Sequence, residues 1–292
     1  MSTLHNNYNP YNIVLMAKPL LVLSKTHSLK VLLRRANLHT VCEESRCPNI
    51  SQCFGSGTAT FMILGNQCTR ACSFCNLKRG NPEPLDPEEP YRLLEAVKTL
   101  NLRYVVITSP TRDDLEDGGA GQFARCIRVL KENLQNIKVE VLVPDFGGSH
   151  QALKTVLLAE PDVLAHNVET VPRLYHRVRK GADYQRSLEL LKRAKEFNPN
   201  IITKSALILG FGEKEEEIVE VMKDLRRVEC DVLTIGQYYQ PSKRHHPVVK
   251  LYTQEEFERL KRIALSLGFS GVFSGPNVRS SYMAESVFYN YL

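Results

Sequence analysis

The sequence predicts an α/β protein built on a parallel sheet, and three observations carry that prediction. Six apolar runs rich in β-branched residues follow Thr60, each succeeded by a segment of helical period. The runs are continuous rather than alternating, as in strands buried on both faces. The 292 residues, 43% hydrophobic and 24% charged, suffice for one large domain or two smaller ones with an ordinary globular core.

Taken in order, the runs are "FMILG" (61–65), "YVVITS" (104–109), "VEVLVP" (139–144), "VLAHNVE" (163–169), "IITKSALILG" (201–210) and "VLTIGQYY" (232–239). In the second helix Cys126 shares an apolar face with Phe123, Ile127 and Leu130, which makes it a core residue. The fourth helix places Tyr184, Leu188, Leu191 and Ala194 on one stripe, with Arg186, Lys192, Arg193 and Lys195 elsewhere. "EKEEEIVE" opens the fifth helix with acids that complement the macrodipole. The sixth shows Phe257, Leu260, Ala264 and Leu267 on one face, behind Thr253 and Glu256 at capping-box spacing. Cys230 opens the sixth strand and packs there. Six such units fit an open or partial barrel, or a doubly wound sheet. In both, ligands gather at the C-terminal ends of the strands.

Charge and hydropathy narrow the function. Thirty-eight Lys and Arg against 32 Asp and Glu give a net charge of +6, short of a dedicated nucleic-acid binder. The apolar stretch "IVLMAKPLLVL" (13–23) is broken by Lys18 and Pro19 and is too short to span a bilayer. The first seventeen residues hold no Lys or Arg, so no signal-peptide n-region is expected. The expected compartment is cytoplasmic and reducing, with neither a membrane nor a nucleic acid as partner. Clustered cysteines there read as metal ligands rather than disulfides.

Six of the eight cysteines form two triplets. Cys68, Cys72 and Cys75 follow C-x3-C-x2-C just beyond the first strand, on the first βα loop. Zinc ribbons and fingers add a second pair of cysteines or two histidines further on, which this segment lacks. Three thiolates would instead bind three irons of a cubane and leave the fourth open, with a zinc site as the alternative. Cys42, Cys47 and Cys53 follow C-x4-C-x5-C before the first strand, outside the repeating units. By itself that spacing supports only a second metal site, folded over the barrel mouth or unconnected with the chemistry.

The second triplet, with Phe74 before its last cysteine, resembles the signature of the radical S-adenosylmethionine superfamily. The resemblance implies a partial (β/α)6 barrel and a 4Fe-4S cluster whose open iron is chelated by S-adenosylmethionine. One-electron reduction would then yield a deoxyadenosyl radical. The other strand ends are expected to hold the cosubstrate, with Thr108, Ser109, Asn167, Glu169 and Arg186 as candidates. Glu169 and Asn167 suit an amine or ribose hydroxyls, and Arg186 suits a carboxylate.

Within the superfamily, "LHTVCEESRCPNISQC", "VVITSPTRDDLEDGGAGQFA", "HNVETVPRLY", "LTIGQYYQPS" and "VRSSYMAE" resemble segments of lipoyl synthases, and the likeness spans about residues 38 to 288. It implies radical insertion of two sulfurs at carbons six and eight of an octanoyl chain on a carrier-domain lysine. Those C–H bonds have no useful acidity, and no Ser-His-Asp or Cys-His constellation stands out in the chain. It also implies that Cys42, Cys47 and Cys53 hold an auxiliary 4Fe-4S cluster, consumed as the sulfur source. Its fourth ligand would be Ser281 of "RSSY" (279–282), with Ser280 as the fallback.

Implied partners are octanoylated lipoyl-carrier domains (the acyltransferase of a 2-oxoacid dehydrogenase or a glycine-cleavage H protein), a flavodoxin- or ferredoxin-type reductant and an iron–sulfur carrier. The expected organisation is an N-terminal extension (1–59), the barrel (60–268) and a C-terminal extension (269–292), with both extensions covering the mouth. The alternative is another radical enzyme with an auxiliary cluster, a thiolating enzyme or a peptide maturase. Maturases usually carry extra cysteines in a C-terminal extension, and none follows Cys230. Asn277, Ala71 and "KPLLVLSK" depart from the family pattern without touching a proposed ligand. "KRHH" (243–246) reads as a basic loop near the mouth or as contact for an acidic carrier. "GFGE" (210–213) reads as a turn or as backbone approaching an adenine.

Overall fold

A computed structural model describes residues 20–55 and 59–291; most of the stretch 13–23 and part of the expected extension 1–59 lie outside the described residues. Helix α1 (Leu20–Arg35) is followed by β1 (His39–Thr40) and the short helices α2 (Val41–Glu44) and α3 (Ile50–Gly55). Strand β2 (Thr60–Met62) leads into a ribbon of β3 (Gln67–Cys68) and β4 (Lys78–Arg79), and then α4 (Glu89–Thr99). The units that follow are β5 (Tyr104–Thr108) with α5 (Ala120–Asn133), β6 (Lys138–Leu142) with α6 (His150–Leu157), and β7 (Val163–Ala165) with α7 (Tyr175–Val178) and α8 (Tyr184–Phe197). The chain continues through β8 (Ile202–Leu209), α9 (Glu215–Arg227), β9 (Val232–Gln237), α10 (Gln254–Ser266), β10 (Gly271–Gly275) and α11 (Ala284–Tyr291).

The main sheet runs β1-β2-β5-β6-β7-β8-β9-β10, with only β1 antiparallel to its neighbour. Strands therefore add in strict sequence order, each crossover stepping the same way. A doubly wound sheet would reverse direction at a switch point, so the topology is that of an open barrel. Among the described residues no ladder joins β1 to β10. The last parallel strand, β10, was not expected. Its sequence, GVFSG, has two glycines and a serine in five residues and carries no apolar run.

The predicted stripes are the buried ones. Tyr184, Leu188, Leu191 and Ala194 of α8 are buried, as are Phe257, Leu260 and Ala264 of α10, while Leu267 is half-buried. Each such large apolar side chain contributes roughly 1.5–3 kcal/mol of burial free energy. The capping box closes as spaced: Glu256 N donates to Thr253 Oγ1 at 3.2 Å and Thr253 N to Glu256 Oε2 at 2.8 Å. Cys126 and Cys230 are fully buried core residues. No described helix is long and apolar enough to cross a membrane.

Strand alternation sends Val105 and Ile107 of β5 toward the helices, and Tyr104 and Val106 toward the opposite face, where Ala284 and Phe288 of α11 pack on them. A charged group interrupts this inner face. Lys204 Nζ lies 2.9 Å from Glu140 Oε1, and the Tyr104 hydroxyl donates to Glu140 Oε2 at 2.6 Å. Pairing of that quality is what a fully buried Lys and Glu require.

Candidate active site

The second cysteine triplet lies on the loop between β2 and α4, and the fold clamps that loop at several points. Ribbon β3–β4 closes its base. At its tip Ser73 N donates to Val178 O at 2.9 Å, and Ser73 Oγ to Arg177 O at 2.9 Å. The "KRHH" segment straps the outer side: His246 N donates to Ser73 O at 2.9 Å, and His245 Nε2 lies 3.1 Å from Cys75 O. Arg70, between Cys68 and Cys72, makes paired hydrogen bonds to both Asp113 and Asp145, all at 2.7–2.9 Å. Burial alone would raise the Asp145 carboxyl, but Arg70 outweighs it and holds the group down at about 2.

A cavity of about 230 Å³ results, lined by Cys68, Cys72, Cys75, Arg79, Arg244 and His245 among others. Burial pushes the Cys72 thiol up to about 11 and Cys75 up to about 12. Without metal these groups are neutral thiols at pH 7, so coordination must displace their protons. Phe74 packs toward Phe211, with ring centroids 6.0 Å apart. In "GFGE", the Glu213 carboxylate accepts from the backbone N–H groups of Gly210, Phe211 and Gly212 at 3.0–3.1 Å. Those amides are satisfied within the turn.

Among the described residues four buried side-chain oxygens lack a hydrogen-bond partner, those of Thr170, Thr234 and two of the strand-end candidates, Ser109 Oγ and Glu169 Oε2. Glu169 also sits at φ 66°, in the left-handed region that disfavours its side chain. Burial raises its carboxyl, with Arg179 and Asn167 pulling the other way. Asn167 Nδ2 donates to Glu169 Oε1 at 3.0 Å and leaves the other oxygen open. A strained acid with one unanswered oxygen, and an unanswered hydroxyl at another strand end, fit a ligand bearing an amine and hydroxyls.

The remaining two candidates are engaged elsewhere. Thr108 Oγ1 donates to Leu142 O at 2.7 Å, tying two strands together. Arg186 Nη1 lies 3.3 Å from Asp145 Oδ2 and joins the Arg70 network. A different guanidinium, which sequence reasoning missed, takes the central place. Arg179 Nη1 donates to Tyr175 OH at 3.0 Å and Ser187 Oγ at 2.9 Å. Burial opposes its charge, but Tyr175, Glu169 and Cys72 hold its pKa above the usual value. In "RVRKG" it is one of three neighbouring basic residues, with no local signal separating it from the exposed Arg177 and Lys180. Next to it His166 is neutral, pushed down to about 4 by burial and then by Arg179. Its Nδ1–H donates to Val143 O at 2.8 Å.

The first triplet sits on α2 and α3 and the turn between them. Thr40 caps α2 by accepting from Glu43 N at 3.3 Å, and Cys47 N closes the turn on Cys42 O at 3.1 Å. Burial lifts Cys42 to about 12 and Cys53 to about 11. The C-terminal tail reaches this α2–α3 arm at two points and the start of β2 at a third. Asn49 Nδ2 donates to Asn277 O at 2.6 Å, Tyr282 OH to Gln52 Oε1 at 3.3 Å, and Thr60 Oγ1 to Ser281 Oγ at 2.8 Å. The backbone of that same Thr60 hydrogen-bonds the Cys42 thiol. Ser280 turns the other way, donating to Asn167 Oδ1 at 2.9 Å. Among the described residues no three His, Cys, Asp or Glu side chains are placed to hold a single metal ion. A cubane asks something different, since each thiolate binds its own iron.

A family model for the radical SAM superfamily matches residues 62–225. The lipoyl synthase of Aquifex aeolicus (strain VF5) is 65% identical over 269 residues, covering 92% of this chain and 98% of its own. That of Caldanaerobacter subterraneus subsp. tengcongensis is 56% identical over 257 residues, covering 88% and 90%. Among solved structures, methylornithine synthase (PylB) superposes with a TM-score of 0.53 at 16% identity, covering 89% of this chain and 86% of that one. Streptococcus suis SuiB bound to its precursor peptide SuiA gives 0.58 at 14%, covering 89% and 55%. At such identities these two structures speak for the fold alone.

Proposed function

The chain belongs to the lipoyl synthases of the radical SAM superfamily, and from that premise we propose how its residues divide the work. The enzyme inserts sulfur by radical chemistry, uses S-adenosylmethionine and 4Fe-4S clusters, and acts on lipoyl-carrier proteins. Cys68, Cys72 and Cys75 hold one cluster. Cys42, Cys47, Cys53 and Ser281 hold the auxiliary cluster that serves as sulfur donor. When bound, these groups supply one-electron cleavage of the sulfonium, a radical that removes hydrogens of no acidity, and sulfur for two C–S bonds.

The protein's own part is placement. Ser109 and the open oxygen of Glu169 receive the cosubstrate's hydroxyls and amine, with Asn167 orienting the acid. Arg179 supplies the positive charge nearby, while Thr108 and Arg186 support the site from the sheet and from Asp145. The tail, laid across the arm through Asn49 and Gln52 and against β2 through Thr60, covers the mouth and limits access of water. Octanoylated domains of a 2-oxoacid dehydrogenase acyltransferase or of a glycine-cleavage H protein present the substrate. A flavodoxin- or ferredoxin-type protein supplies electrons, an iron–sulfur carrier rebuilds the consumed cluster, and the expected compartment is cytoplasmic.

The observation that supports this division best is the split of the serine pair, Ser281 toward Cys42 through Thr60 and Ser280 toward Asn167. The test is anaerobic reconstitution, reduction with dithionite and addition of S-adenosylmethionine with an octanoyl-lysyl peptide. A mass gain of two sulfurs is expected. Cleavage of S-adenosylmethionine without any sulfur gain would refute the reading.

A further inference from the structure

The cysteine loop is bordered by cations that no acid answers. Lys78, Arg79, Arg177, Lys180, Lys243 and Arg244 are exposed, and none has an ion-pair partner among the described residues. Arg92, Arg173 and Arg259 on the surface do, pairing with Asp86, Glu217 and Glu215, whereas Arg46, Arg103, Arg128 and Arg262 do not, so what sets the six apart is their gathering around one loop. The six are brought together by the loop's own clamps. Lys78 and Arg79 form β4, while Arg79 and Arg244 line the cavity. The Arg177 carbonyl receives the Ser73 hydroxyl. Lys180 precedes Gly181, where a Cβ would lie 3.3 Å from Arg70 Cδ. Immediately behind this rim, His245 touches the carbonyl of Cys75 at 3.1 Å.

We propose that this rim is the docking surface for an acidic one-electron carrier protein of the flavodoxin type. The inference rests on the lipoyl synthase reading and names the partner of the same site. In each encounter the carrier loses one electron, and the cluster held by Cys68, Cys72 and Cys75 gains it; no bond breaks and no proton moves. An electron needs only close approach to the outer wall of the loop, where the unpaired cations are. An octanoyl-lysine must instead reach the strand ends on the inner side, near Ser109, Glu169 and Ser280. Unpaired charge at the rim raises encounter rates with an acidic protein and selects its orientation.

The test uses the reconstituted enzyme and a variant carrying Lys78→Glu, Arg177→Glu, Lys180→Glu and Lys243→Glu, none of which lines the cavity. At low ionic strength the Kd for flavodoxin, read by flavin fluorescence, should rise about tenfold or more, and the gap should close as added salt screens the rim. Cleavage of S-adenosylmethionine driven by reduced flavodoxin should fall in parallel. With dithionite as reductant, cleavage and octanoyl thiolation should stay within about twofold of wild type, as expected of surface charges away from the chemistry. If the fourfold variant melts at a lower temperature, the pairs Lys78/Lys243 and Arg177/Lys180 carry the same comparison. An unchanged Kd and flavodoxin-driven rate would overturn the proposal. So would a raised KM for an octanoylated carrier under dithionite, which would assign the rim to the carrier instead. Absence of thiolated product from wild type with dithionite would count against the lipoyl synthase reading, and the Kd comparison would stand apart from it.

Discussion

Ser281 and His166 show how much a single side chain depends on what the fold puts beside it. Ser281 meets Thr60 Oγ1 at 2.8 Å, whereas its neighbour Ser280 meets Asn167. Ser281→Ala should therefore still cleave S-adenosylmethionine but yield no thiolated product, and Ser280→Ala should retain thiolation. Thr60→Val, which removes the hydroxyl holding Ser281, should lower thiolation by about tenfold to a hundredfold, the usual effect of losing a group that orients a ligand. Full turnover by Ser281→Ala would assign the fourth ligand elsewhere. His166 carries a pH signature. Its folded pKa, about 4, lies below the ordinary 6.5 because burial disfavours the imidazolium. The neutral ring thus adds stability in full above pH 6.5, and that contribution fades as pH falls toward 4. That difference is worth on the order of 3 kcal/mol. Urea melts at several pH values should show this loss in wild type and not in His166→Gln. The difference between the two curves isolates it from Glu89, Glu169 and Glu213, whose burial-raised carboxyls act in the opposite sense.

Among the elements, the tail after β10 depends on one close approach. A Cβ on Gly236 of β9 would lie 2.0 Å from Val278 O, and backbone cannot yield as a flexible side chain would. Gly236→Ala should push the tail off the sheet, costing about 1–3 kcal/mol of stability as overpacking generally does. Because the tail also holds Ser281 against the arm, thiolation should fall more steeply than cleavage of S-adenosylmethionine. Equal losses in the two assays would place the effect in the barrel instead. Elements of strong period were legible beforehand: the stripes of α8 and α10 and the box at Thr253 follow from side-chain hydrophobicity and capping chemistry. Strand β10 was illegible, since Gly271, Ser274 and Gly275 carry no apolar pattern. It pairs through backbone groups that every residue possesses.

For the molecule as a whole, metal and fold are linked. Cys42 and Cys75 lie near 12, and Cys53 and Cys72 near 11, so cluster assembly at neutral pH releases protons from each. Cluster loading should fall as pH drops below 7, with about eight irons and eight sulfides per chain at full loading, as two cubanes contain. Because the clusters bind the folded chain, loading should also raise the melting temperature, and chelation should reverse the gain. Four irons in place of eight would leave room for a single cluster only.

Composition and spacing alone determined the α/β class, the strand-end position of Cys68, Cys72 and Cys75, and the existence of a second triplet. These are local properties, since hydrophobic period and ligand spacing are written within a few residues of one another. Tertiary structure decided the winding direction of the sheet, the turning of Thr108 and Arg186 to other partners, and the central place of Arg179. It also decided which serine of "RSSY" faces the arm. Each of those depends on residues far apart in the chain, 221 apart for Thr60 and Ser281. Only packing chooses which of many compatible partners a side chain meets.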